Sequence, residues 1–194
     1  KGGTEKTSTT EVYFDNDLKR GWPIKTNIQY HPVVCRLKLA MEDIDNDNLK
    51  EIISRPCFAN PPVLNVYNYG GSLKWAKNLN SLGEMPLVID IDNDNYKEIF
   101  FFDLIGNTPK ISALDYRGIS IDRFSIDLEK VLKPNMWGKN YEVYMLAADL
   151  NLDGNKEIII KVNKPLRMGG VYENSIGGAI MVINNKGQII SQWN

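Results

Sequence analysis

Histidine occurs once in this 194-residue chain and cysteine twice, and these two scarcities remove several familiar chemistries at the outset. A zinc site or a histidine-based proton relay needs more such residues close together. The lone His31 precedes Pro32 at the entry to an expected strand, where a turn or packing role is the ordinary reading. No nucleophile elbow, phosphate loop or zinc signature occurs, and two cysteines cannot staple a disulfide-built scaffold. Charge of one sign is lacking as well: 23 basic and 24 acidic residues leave a net charge of −1, with no broad pull toward nucleic acid or an anionic membrane. No apolar run approaches the roughly 20 residues that span a bilayer, so membrane insertion is not expected.

What is present is the balance of a globular protein with a core, 43% hydrophobic and 24% charged residues. The chain begins at Lys1, not Met, in a Gly-, Thr- and Ser-rich stretch, and is expected to be a mature product or a piece of a longer protein.

The strongest signal is an internal repeat. Asp43-Ile-Asp-Asn-Asp-Asn-Leu-Lys-Glu51-Ile recurs as Asp90-Ile-Asp-Asn-Asp-Asn-Tyr-Lys-Glu98-Ile and as Asp149-Leu-Asn-Leu-Asp-Gly-Asn-Lys-Glu157-Ile. A second signature, a short apolar strand, a polar turn and a further strand, occurs four times, at Val12 to Trp22, Val66 to Trp75, Ala113 to Ile121 and Val182 to Trp193. The two signatures keep phase in the first two units, and the third carries an insertion between them. Apolar runs lead into each acidic loop (Val33 to Met41, Met85 to Ile89, Val143 to Ala148). β-rich runs leave it (Glu51 to Ser54, Glu98 to Phe102, Glu157 to Val162). With the hairpin, each unit reads as four antiparallel strands. Such units suit β-propeller blades, in which radial repetition leaves few exposed strand edges. The predicted fold is therefore all-β, about three and a half blades: 1–25, the outer hairpin of a preceding blade; 26–76, with loop 43–51; 77–125, with loop 90–98; and 126–194, with loop 149–157.

The acidic loops predict bound calcium. Carboxylates at positions 1, 3 and 5 of a tight loop converge on one point, and a carbonyl at position 7 with the Glu at position 9 brings the oxygen count near what this ion takes. The expected ligands are Asp43, Asp45, Asp47, the Leu49 carbonyl and Glu51; Asp90, Asp92, Asp94, the Tyr96 carbonyl and Glu98; and Asp149, Asn151, Asp153, the Asn155 carbonyl and Glu157, for about three Ca2+ ions. Position 6 is Asn48, Asn95 and Gly154, types that tolerate a left-handed backbone. An EF-hand is excluded because its Glu stands at position 12 between helices, whereas here Glu is at 9 and strand formers follow. Solvated Asn/Asp turns are the competing reading; three copies with the same Lys-Glu-Ile exit argue against it.

These loops resemble the FG-GAP/VCBS repeats of integrin α-subunit propellers and of many secreted bacterial and archaeal proteins. They match that family's Asp-x-Asp-x-Asp-Gly-x-x-Asp/Glu pattern, except that Asn replaces Gly at position 6 in two of them. Gly21-Trp22-Pro23 is similar to blade ends in bacterial members, and no Phe-Gly-…-Gly-Ala-Pro stretch is present. The resemblance implies a propeller usually closed by seven blades, so the remaining blades are expected in the same or a second chain. It also implies, with calcium use, an extracellular or cell-surface location.

The function so implied is a calcium-binding module or fragment for protein or carbohydrate binding, adhesion or cell-surface assembly. A calcium-dependent polysaccharide lyase is the alternative, although no Lys/Arg/Tyr constellation demands it and an enzyme is not expected. Recognition is expected at the end opposite the acidic loops, in the lengthened segments Ser125 to Tyr141 and Asn163 to Gly178. Trp137, Tyr141, Arg167, Met168 and Tyr172 are the candidates there. Cys35 and Cys57 lie almost symmetrically about Asp47 and would face each other across a hairpin, as a disulfide or as two buried thiols.

Overall fold

A computed structural model describes residues 7–10, 13–14, 17–18, 24–27, 38–56, 61–81, 85–105, 108–130, 142–163, 166–168, 171–173 and 178–193. All strand pairings are antiparallel, and the only helical pieces among these residues are two single 3-10 turns. The chain divides into two compact units, Lys1–Leu82 and Gly83–Asn194. Among the described residues no helix is long and apolar enough to cross a membrane.

The first unit opens with β1 (Thr7–Thr10), β2 (Tyr13–Phe14), β3 (Asp17–Leu18) and β4 (Ile24–Asn27). Here β1 pairs with β4 and β2 with β3, so the expected first hairpin is a nested pair of ladders. A four-stranded sheet follows in sequential order: β5 (Lys38–Glu42), β6 (Glu51–Arg55), β7 (Val63–Tyr67) and β8 (Leu73–Asn78). Every residue of β6 is buried, as suits a central strand covered on both faces. Ile53, Leu64 and Val66 are fully buried.

The second unit holds two further four-stranded sheets. One consists of β9 (Leu87–Ile89), β10 (Glu98–Ile105), β11 (Thr108–Leu114) and β12 (Ile126–Asp127). After it come β13 (Glu142–Ala148), β14 (Glu157–Asn163), the hairpin β15 (Leu166–Met168) and β16 (Val171–Glu173), then β17 (Gly178–Ile183) and β18 (Ile189–Trp193). The last sheet has the order β13-β14-β17-β18, with β15 and β16 paired to each other on the excursion between β14 and β17.

Period-two alternation decides which side chains meet. On β14, Ile158, Ile160 and Val162 are buried while Lys161 is exposed. With Ala179, Met181 and Ile183 of β17 they join Phe100, Phe102, Ile111 and Ala113 of the preceding sheet in one core. Each such large aliphatic side chain contributes roughly 1.5–3 kcal/mol by leaving water.

A strand enters and a strand leaves each acidic loop, as expected; residues 33–37 of the first entering run lie outside the described residues. The fourth strand of the second sheet is not where the repeat places it. Ile119 to Ile121 contribute only the Leu114–Ser120 bridge, and the ladder resumes at β12, opposite Lys110 and Ile111. A 3-10 turn, Asp122–Phe124, intervenes. Its Phe124 ring is fully buried, edge-on to Phe100 at 4.9 Å between centroids, whereas Ile119 stays in water. Buried Phe124, Ile126 and Leu128 give the core more apolar surface than Ile119 to Ile121 could. The segment expected as a lengthened loop from Ser125 therefore begins as part of the sheet.

Candidate metal centres

In each four-stranded sheet the acidic loop joins the first two strands and a tight turn joins the last two elements, so both lie at the same end. The turns share one construction. Asn68, Asp115 and Asn184 each accept the N–H of the residue four positions on (3.0, 2.8 and 2.9 Å) through the side chain. Gly71, Gly118 and Gly187 supply the left-handed backbone, at φ of 84°, 82° and 78°.

The acidic loops are equally uniform. The position-1 carboxylate accepts two backbone amides, from positions 5 and 6: Asp43 from Asp47 and Asn48, Asp90 from Asp94 and Asn95, Asp149 from Asp153 and Gly154. The position-5 carboxylate accepts the amide of position 7 at 2.8 Å in all three loops. Glu51, Glu98 and Glu157 open the exit strands and are 1%, 4% and 3% exposed. One oxygen of each accepts the N–H of position 2, from Ile44, Ile91 and Leu150, at 3.1, 3.0 and 2.9 Å.

Two positions per loop are left-handed, not one. Position 6 behaves as the sequence predicts, and position 4 joins it: Asn46, Asn93 and Leu152 have φ of 60°, 62° and 62°. The asparagines at 46 and 93 were the available signal. Leucine has no such excuse at 152, where its side chain is 87% exposed.

Two acidic groups are placed to hold a metal ion: Asp43, Asp45 and Glu51 in the first loop, and Asp90, Asp92 and Asp94 in the second, each with oxygens within 4.8 Å of one another. Asp47 and Glu98 lie outside these closest groups. In the third loop the carboxylates do not gather in this way among the described residues. Asn151 turns its amide onto Asp153 Oδ2 at 3.0 Å, and Asn155 donates to Asp153 Oδ1. The Asn155 backbone amide, then these side-chain amides, hold the Asp153 carboxyl below its ordinary range. Glu98 moves the other way: burial, reinforced by the charges of Asp92, Asp94 and Asp90, pushes it up to about 7 against the Ile91 hydrogen bond.

Basic side chains not anticipated from the repeat complete the first two loops. Lys74 of β8 donates to Asp45 Oδ2 and to Glu51 Oε1, and Arg123 donates to Asp92 Oδ2. Asp45 Oδ1 is buried with no hydrogen-bond partner. The loop residues whose carbonyls were expected as ligands differ in setting: Leu49 is exposed, and the Tyr96 ring stacks on Tyr116 of the adjacent turn, 4.5 Å between centroids. Asn93 of the second loop reaches Asn155 of the third at 3.5 Å.

At the other end of the last sheet, Arg167 and Met168 lie on β15 and Tyr172 on β16, with Arg167 opposite Tyr172 in the ladder. Trp137, Tyr141, Cys35 and Cys57 lie outside the described residues.

No family model matches the sequence, and no curated protein matches it. Among solved structures, the crystal structure of the V. cholerae biofilm matrix protein Bap1 is similar over 89% of this chain, at 18% identity and a TM-score of 0.37. The match covers 29% of that protein's chain, so this chain spans under a third of its length.

Proposed function

We propose that the chain is a calcium-binding module made of consecutive β-propeller blades of the FG-GAP type, acting outside the cell in protein or glycan binding or in surface assembly. The observation that carries this reading is the threefold recurrence of one loop in which a buried glutamate and a position-1 aspartate are both held by backbone amides. A carboxylate buried beside other carboxylates is costly unless a cation or hydrogen bonds compensate it.

The donor chemistry fits a hard cation, since every candidate ligand is an oxygen. The partnerless Asp45 Oδ1 is a buried acceptor that a ligand bond would satisfy. Asp43, Asp45, Asp47, Glu51 and the Leu49 carbonyl would hold the first ion, and the corresponding residues the second and third. The ion would neutralise repelling carboxylates and tie the loop to its exit strand, a structural role. Recognition is assigned to the opposite end, around the β15–β16 hairpin with Arg167, Met168 and Tyr172, on the principle that excursions from a rigid scaffold carry binding.

Thermal unfolding in calcium and in a chelator tests the reading. Saturation at a hundredfold excess over Kd is worth about 2.7 kcal/mol per site, so a rise in Tm of roughly 5–10 °C per occupied site is expected for a domain of this size. An unchanged Tm would mean that the loops are only turns.

A further inference from the structure

The three loops differ in what meets their third position. In the first, the Lys74 ammonium bridges Asp45 Oδ2 and Glu51 Oε1. Those two residues supply two of the three groups in the first acidic cluster, and the other Glu51 oxygen is taken by the Ile44 amide. Lys74 thus holds oxygens that an incoming ion would need. In the second loop Arg123 meets Asp92 alone, and at 46% side-chain exposure it stands at the rim. In the third, Asn151 is turned onto Asp153.

We infer that Lys74 is an internal counter-cation of the first loop, and that a divalent ion enters only by displacing it. This rests on the cation reading above. An ammonium and a divalent ion cannot share Glu51 Oε1 and Asp45 without strong repulsion at such distances. Lys74 is suited to leave: its charge is compact and strongly hydrated, on a flexible four-carbon stem. With the ion absent it neutralises the buried Glu51, so the ion-free loop is stabilised and the ion's net gain is reduced. The first loop therefore binds more weakly than its four carboxylates imply.

Two measurements on the full chain test this. In wild-type protein, the reactivity of Lys74 toward an amine-acylating reagent is followed by peptide mass spectrometry in chelator and in calcium. Lys74 is expected to be protected without calcium and several-fold more reactive with it, while Lys161, exposed on β14, stays constant. In calorimetric titration with calcium, Lys74→Met is expected to tighten one binding event about tenfold or more and leave the others unchanged. Adding Asp45→Asn should weaken that same event and so identify it. Lys74→Arg, which keeps the charge, should not tighten that event. Equal acylation with and without calcium, or unaltered affinities in Lys74→Met, overturns the inference even if calcium binds. Absence of any binding heat in wild type and variant alike would instead remove the cation reading itself, and this inference with it.

Discussion

Glu98 Oε2 accepts the backbone N–H of Ile91 at 3.0 Å, across the whole second acidic loop. That bond draws the carboxyl group down, yet burial and the three nearby aspartates outweigh it and leave Glu98 at about 7 instead of its ordinary 4.5. Between those values the folded chain holds a proton that the unfolded chain has released, so the ion-free protein should lose stability as pH rises from about 4.5 to 7. Tm measured against pH in chelator should show this decline, and calcium should flatten it by stabilising the ionised form. Glu98→Gln should flatten the chelator profile too. A wild-type profile already flat through this window would contradict the prediction.

Leu152 stands at φ 62° where the other two loops use asparagine. Left-handed backbone costs an L-residue with a Cβ about 1–2 kcal/mol, and the side chain buries nothing in return at 87% exposure. Leu152→Asn is expected to stabilise by about 0.5–1 kcal/mol, and Leu152→Gly by a similar or smaller amount because it loosens the unfolded chain. The urea midpoint should rise with an unchanged m-value; a fall would mean that the leucine makes a favourable contact.

Gly187 is required for a second reason besides its φ of 78°. A Cβ there would lie 2.0 Å from the Arg123 carbonyl oxygen, a backbone atom that can yield only by moving the 3-10 turn. Gly154 has a similar φ but nothing within 4 Å of its Cβ position. Gly187→Ala should therefore cost at least about 2 kcal/mol, and Gly154→Ala about 1 kcal/mol. Equal losses in chemical denaturation would rule out the close approach.

The displaced fourth strand of the second sheet makes Phe124 a core residue. Phe124→Ala should destabilise by about 3–5 kcal/mol, while Ile119→Ala, at an exposed position, should stay within about 0.5 kcal/mol. The opposite ranking would restore the strand to the place that the repeat suggests.

The strand–loop–strand units were legible because an acidic loop and an alternating strand are local patterns. Glu51, Glu98 and Glu157 open β6, β10 and β14 as their sequence position predicts. The fourth strand of the second sheet was not legible: Ile119-Ser120-Ile121 is as good a local strand as Ile126-Asp127, and the choice is made by Phe124 packing on Phe100, 24 residues earlier in the chain. Lys74 and Arg123 were missed for the same reason. They reach Asp45 and Asp92 from 29 and 31 residues away, and a lysine or arginine on a strand or turn reads by default as a solvated side chain. The left-handed position 4 was within reach, since Asn46 and Asn93 carry the residue type that such a backbone favours.

The amide bonds that the loop carboxylates already make have a consequence for the timing of ion exchange. Asp43, Asp90 and Asp149 hold the turns of their loops closed through the amides of positions 5 and 6, so little chain ordering is left to do when an ion arrives. On the proposed calcium reading, entry to the second and third loops should then be as fast as the ion sheds its water, whereas entry to the first also waits for Lys74 to leave. Between those two loops, the second and third, a difference in calcium affinity would then appear in how long the ion stays and not in how fast it enters.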